Sequence, residues 1–218
     1  MSKKPIIVFE GIEGSGKSYH INNVARYLKK NNKKFIKIRE PGGSKNSEKI
    51  RKLILDNKST FNKNTDLLLY LCSRSENIEL IKKNFGKKII LIDRFVDSTI
   101  AYQHYGMGVN LKFIKMVNKF LLKNIKVHFT FLNLVNKKNM HLRLAKRKTL
   151  NRYDKFKFTF YTKVQNGFIK ISKINPKKYM KINSNLNISF NKKLIISKIK
   201  KLIQIWLWNL QNKQNFLG

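Results

Sequence analysis

Ile6-Ile7-Val8-Phe9-Glu10-Gly11-Ile12-Glu13-Gly14-Ser15-Gly16-Lys17-Ser18 (IIVFEGIEGSGKS) is the stretch that decides how this chain is read. An apolar run leads into the spacing G-x-x-x-x-G-K-[ST], carried by Gly11, Gly16, Lys17 and Ser18. Glycines there let the backbone curl so that its N–H groups point inward at phosphate oxygens. Lys17 can then reach the β- and γ-phosphates of a nucleotide, and the Ser18 hydroxyl can ligate Mg²⁺. Ile21, Val24, Ala25 and Leu28 follow at helical spacing, so the loop opens a helix whose positive end faces the anion. A chance glycine-rich turn would satisfy the pattern too. The strand before it and the helix after it argue for phosphate binding by Gly11, Ile12, Glu13, Gly14, Ser15, Gly16, Lys17 and Ser18.

Strand–helix alternation continues outward from this loop and predicts an α/β fold, a parallel sheet with helices on both faces. The second strand is read over Lys33–Arg39 and ends in Arg39-Glu40-Pro41-Gly42-Gly43, a sharp turn at the sheet's carboxyl end, where such folds hold ligands. Ser47–Asp56 reads as a helix with Ile50, Leu53 and Ile54 on one face. The next helix, capped by Asn64 or Thr65, is apolar nearly all round at Leu67–Leu71 and is expected to be buried. Cys72 reads as a packing residue within it.

Lys88–Asp93 is a third strand that ends in a carboxylate. Beside a phosphate loop, Asp93 is placed to hold Mg²⁺, directly or through water. A surface aspartate at a strand end is the plainer reading, but Arg94 follows at once where phosphates would arrive. Asn110 caps a helix with Phe113, Val117, Phe120 and Leu121 inward. Val127–Leu134 is the fourth strand, and Lys178–Asn183 the fifth. Arg143 and Arg147 stand at i, i+4 and so share a helical face. Phe160, Val164, Phe168 and Ile171 lie in phase on a further helix that Pro176 stops. The last helix, from about Asn191, carries Leu194, Ile199, Leu202, Ile203, Trp206 and Leu210, with Trp206 and Trp208 packing or snorkelling. No repeat or linker interrupts the 218 residues, which suit one domain with one sizeable core.

Composition narrows the class. The longest apolar run, Leu67–Cys72, is far from membrane-spanning length. MSKKP runs straight into the first strand, and Glu10 interrupts any signal-like stretch. One cysteine excludes an internal disulfide framework and suits a reducing cytoplasm. A net charge of +37 suggests nucleic-acid binding. Against it, 40 of the 48 basic residues are lysine and only 8 arginine, while asparagine occurs 26 times. Lysine and asparagine codons are A-rich, so drift in an A+T-rich genome is the stronger account. The lysines are scattered, and specific nucleic-acid contacts favour arginine's planar fork. The same bias makes the surviving arginines informative: Arg26, Arg39, Arg51, Arg74, Arg94, Arg143, Arg147 and Arg152. Arg26 and Arg51 read as helix-surface or phosphate-independent ion pairs, and the four histidines lack metal-ligand spacing.

The chain resembles the thymidylate kinases, enzymes that phosphorylate dTMP to dTDP with ATP. The resemblance spans essentially the whole chain. It is carried by EGIEGSGKS, by REPGG (Arg39–Gly43), by Tyr70-x-x-x-Arg74, by DRFVDSTIAYQ (Asp93–Gln103) and by an arginine-bearing segment ending in LNRYD (Leu150–Asp154). It implies a P-loop NTPase nucleotide-kinase fold with five parallel strands and a lid at about 143–157. Lys17, Arg94, Arg147 and Arg152 would be catalytic, and Ser18 and Asp93 would serve the metal. Glu13, Arg39, Pro41, Tyr70, Arg74, Arg94, Ser98, Thr99, Tyr102 and Gln103 would line the dTMP site, with Tyr70 on the thymine face and Tyr102 against the sugar's C2′. The catalytic arginine would come from the lid, since the phosphate loop has none. ATP and Mg²⁺ are the implied cofactors and a cytoplasmic homodimer the implied assembly. A different P-loop nucleoside or nucleotide kinase is the alternative. The chain departs from the family pattern at Asn151, Asp154, Asn133 and Met107.

Overall fold

The computed structural model describes residues 4–214, with 207–214 as backbone. Trp208 and Leu210 therefore lie outside the described side chains. Five strands form one parallel sheet: β1 (Ile6–Gly11), β2 (Phe35–Arg39), β3 (Ile89–Asp93), β4 (Phe129–Leu134) and β5 (Tyr179–Asn183), in the order β2-β3-β1-β4-β5. β1 begins at Ile6 as expected, and the other four begin a residue or two later than their sequence runs suggest.

The strands are apolar without alternation because both faces are covered. Ile7 and Phe9 of β1 pack with Ile21, Val24 and Leu28 of α1 (Lys17–Lys30) and with Ile195, Ile199 and Ile203 of α8 (Ile188–Gln214). Ile6 and Val8 point the other way, toward Ile78 and Ile81 of α3 (Lys63–Asn84). Trp206 is half-buried, with the Lys4 ammonium 5.8 Å from its ring centre. No helix among the described residues is long and apolar enough to cross a membrane.

Several expectations fail for identifiable reasons. Asn62, not Asn64 or Thr65, caps α3, accepting from both of their N–H groups. The α3 helix is not buried all round: Leu68 is 50% exposed, and Cys72 is exposed rather than packed. On α2 (Lys45–Leu55), capped by Ser44, Ile54 is buried but Leu53 faces solvent. On α5 (Leu111–Leu122), Ile114 and Asn118 point inward, whereas Phe113 and Phe120 are exposed. The apolar faces of α3 and α5 exceed what this one chain covers.

Residues between β3 and α5 form a short α4 (Val96–Thr99) that widens into a π-helical segment, Ile100–Gly106. Such widened turns recur at functional sites. After β4, α6 (Lys137–Ala145) ends before Arg147, so Arg143 and Arg147 do not share a helical face. A 3₁₀ turn, Arg152–Lys155, leads into α7 (Phe158–Ile174).

Candidate active site

The phosphate loop leaves β1 through Gly11, whose φ of 139° lies outside the range of other residues. A Cβ at Gly11 would also sit 2.3 Å from the Asn133 carbonyl oxygen of β4. Gly16, at φ 85°, turns the chain into α1. Lys17 Nζ folds back over the loop, donating to Gly11 O at 2.9 Å and Ile12 O at 2.8 Å. Burial, and then the neighbouring Arg94 charge, push the Lys17 ammonium down to about 7. Ser18 Oγ donates to Asp93 Oδ2 at 3.1 Å. A hydroxyl and a carboxylate this close form an oxygen donor set suited to Mg²⁺, which keeps several waters and takes its other ligands from phosphate. No group of three or more His, Cys, Asp and Glu able to hold a metal occurs among the described residues.

Arg94 follows β3 in a left-handed conformation, φ 66°. Its Nη1 donates to Gly11 O at 2.8 Å, and its Nη2 to Glu13 Oε1 at 2.7 Å. Burial pushes the Glu13 carboxyl up, but the charges of Arg94 and Lys17 outweigh it and hold Glu13 below its ordinary value. Tyr102 donates its hydroxyl to Glu13, and its ring lies 5.0 Å from the Arg94 guanidinium. Lys17, Glu13, Arg94 and Tyr102 thus converge on one cavity of about 200 Å³.

The cavity wall brings together most of the expected residues: Ser18, Arg39, Pro41, Tyr70, Arg74, Asp93, Ser98, Thr99, Gln103 and Arg147. Thr99 Oγ1 and both amide atoms of Gln103 are buried there without a hydrogen-bond partner. Lining the cavity, these atoms are free to pair with polar groups of a ligand. Ser98 is different, because its hydroxyl is already taken by Glu10 Oε2 at 2.5 Å. Arg39 lies at the rim and makes a bidentate pair with Glu48, at 3.0 and 2.8 Å. Arg74 is 1% exposed and tied to Glu40 Oε2 at 2.8 and 2.7 Å and to Asn118 Oδ1 at 2.6 Å.

The lid arginines separate. Arg143 donates to Gly14 O and Ser184 O, at 2.9 and 2.6 Å. Arg147 lines the cavity and pairs with Asp154 at 2.5 Å. Arg152 lies outside the cavity wall, bound to Asp66 of α3 and to Ile54 O of α2. The departures at Asn151 and Asp154 form a capping box, in which each side chain accepts from the other end of the 3₁₀ turn.

Arg51 is not confined to the helix surface where its sequence context puts it. It lines the cavity beside Arg39, its Nη1 donating to Pro41 O at 2.6 Å. Its survival as arginine in a lysine-rich chain was the available signal. Arg26, by contrast, reaches only Asn23, at 3.1 Å.

A sequence model described as thymidylate kinase matches residues 9–195. Thymidylate kinase of Thermosipho africanus is 41% identical over 170 residues, covering 77% of this chain and 84% of that protein. Thymidylate kinase of Acholeplasma laidlawii is 35% identical over 181 residues, covering 81% and 89%. The crystal structure of thymidylate kinase from Ehrlichia chaffeensis superposes with a TM-score of 0.72 at 30% identity, covering 90% of this chain and 98% of that one. The matched span contains the phosphate loop, the Arg94 loop and the arginine-bearing segment, and the chain belongs to the thymidylate kinase family.

Proposed function

We propose that this protein transfers the γ-phosphoryl group of ATP to the phosphate of dTMP, forming dTDP. The observation that carries this reading is the convergence of Lys17 and Arg94, both within hydrogen-bond reach of Gly11 O, on a cavity that also holds the unpartnered Thr99 and Gln103. A nucleoside monophosphate is already an anion, so no general base is needed. The barrier is the approach of two charged phosphates and the charge that spreads during transfer. Lys17 and the phosphate-loop amides hold the ATP phosphates, while Arg94, Arg39 and Arg51 hold the acceptor phosphate. Ser18 and Asp93 would hold Mg²⁺, which would supply charge neutralisation to the ATP phosphates when bound. Tyr70, Thr99 and Gln103 take the thymine. Arg74 adds a base contact, since its guanidinium carries more N–H groups than Glu40 and Asn118 use. Tyr102 closes the space beside the sugar's C2′.

We assign the closing arginine to Arg147, supported by its position on the cavity wall. Arg152 anchors the lid to α2 and α3. The exposed apolar side chains Leu68, Phe113, Met116 and Phe120 support a homodimer packed through α3 and α5. An exposed Cys72 suits the reducing cytoplasm. Turnover measured side by side with dTMP, dUMP, UMP, CMP and thymidine tests the function: dTMP is expected to give the highest kcat/KM. A preference for thymidine or a ribonucleotide would overturn the reading in favour of another P-loop kinase.

A further inference from the structure

Glu10 does not line the acceptor cavity, yet it holds the segment that does. Its carboxylate is fully buried at the end of β1. Oε1 accepts from the N–H groups of Phe95 and Ser98, at 2.8 and 3.2 Å, and Oε2 accepts from Ser98 Oγ at 2.5 Å. All three donors follow Arg94 within one turn. On the other side of Arg94, its own N–H donates to Phe9 O at 3.0 Å. The left-handed backbone of Arg94, at φ 66°, is unfavourable for a side chain of this size and persists only where the surroundings enforce it.

Packing supplies part of that enforcement, since Phe95 is 1% exposed in one core cluster with Ile38 and Ile92. Behind the segment lies a second cavity of about 340 Å³, bordered by Val8, Glu10, Phe95, Asp97 and Tyr179. The segment is held across this gap by hydrogen bonds: Glu10 from β1, and the Tyr179 hydroxyl of β5 donating to Asp97 Oδ2 at 2.8 Å.

We propose that Glu10 is a positioning residue, which fixes the Arg94 guanidinium at the acceptor-phosphate site and so sets the affinity for dTMP without touching it. The inference rests on the reading of Arg94 given above. Glu10→Leu fills a similar volume but leaves three buried donors without an acceptor. Glu10→Gln keeps the acceptors: its amide oxygen takes both N–H bonds, and the Ser98 hydroxyl turns to accept from its NH₂. Steady-state kinetics of Glu10→Leu should show KM for dTMP raised about tenfold or more, with KM for ATP within about twofold of the parent. Glu10→Gln should return KM for dTMP to within about threefold. Should Glu10→Leu not fold, Ser98→Ala removes a single hydroxyl and should raise KM for dTMP selectively by about threefold or more. Equal changes in both KM values, or none in a folded variant, would overturn the inference while leaving the function intact. An unmodified protein with no dTMP turnover would overturn both.

Discussion

Arg94 Nη2 lies 2.7 Å from Glu13 Oε1, a bond that joins the end of β3 to the phosphate loop. The pair orients a planar fork that a lysine cannot reproduce. Arg94→Lys keeps the charge but loses the two-pronged geometry toward Gly11 and Glu13. We expect kcat/KM for dTMP to fall on the order of 100-fold, with ATP binding retained. Steady-state kinetics and ATP titration check this. A fall of less than about threefold would remove Arg94 from the acceptor site.

Arg147 and Arg152 should fail in different ways. Arg147 is 40% exposed and lines the cavity, so Arg147→Ala should lower kcat on the order of 10³-fold. Its buried partner Asp154 keeps the N–H and side-chain amide donors of Asn151, which limits the loss of stability. Arg152→Ala leaves Asp66, which is 1% exposed, with the Tyr153 hydroxyl but no paired cation, and should cost about 3 kcal/mol of unfolding free energy with a smaller effect on kcat. Urea unfolding and initial rates on both variants separate the roles. The opposite pattern would make Arg152 the closing residue.

Much of this arrangement is legible from residue types alone. The runs at Ile6–Phe9 and Ile89–Ile92 read as strands because covering both faces leaves no polar alternation. The phosphate loop is legible because its glycines answer to positive-φ backbone geometry that other residues rarely adopt. Contacts between distant segments are not legible in this way. Glu10 looks like an interruption of an apolar run until Phe95 and Ser98 are seen to donate to it. Arg143 and Arg147 look paired by spacing, but the helix stops at Ala145. Phe113 and Phe120 satisfy helical periodicity whether they face this chain's core or a second chain, so periodicity cannot distinguish the two.

That ambiguity carries its own prediction. Phe120 is 72% exposed, Met116 60% and Leu68 50%, too much neighbouring apolar surface for helices that meet only water. Phe120→Glu should convert a dimer into a monomer in sedimentation velocity without unfolding it. Because α3 carries Tyr70 and Arg74, loss of the dimer should also lower kcat/KM for dTMP. Unchanged sedimentation would place the interface elsewhere.

The buried Glu10 predicts a pH dependence with a definite sign. Burial, and then the nearby Asp97 charge, raise its carboxyl from 4.5 to about 7. Asp97, itself raised by burial, faces it from α4, and Arg94 opposes the shift. Below pH 4.5 the group is protonated in both folded and unfolded chains. Between pH 4.5 and about 7 the unfolded chain releases the proton while the folded one keeps it, so stability falls as pH rises. Above about 7 both forms are ionised and the loss is complete. Glu10→Gln removes this slope. The variant should match the parent near pH 4.5 and exceed it at pH 8 by on the order of 1–3 kcal/mol. Urea unfolding of both proteins across that range provides the measurement, the difference cancelling the other titrating groups. A stability difference that stays constant with pH would mean that Glu10 is ionised throughout, held by the three donors of the Arg94 segment rather than opposed by its burial.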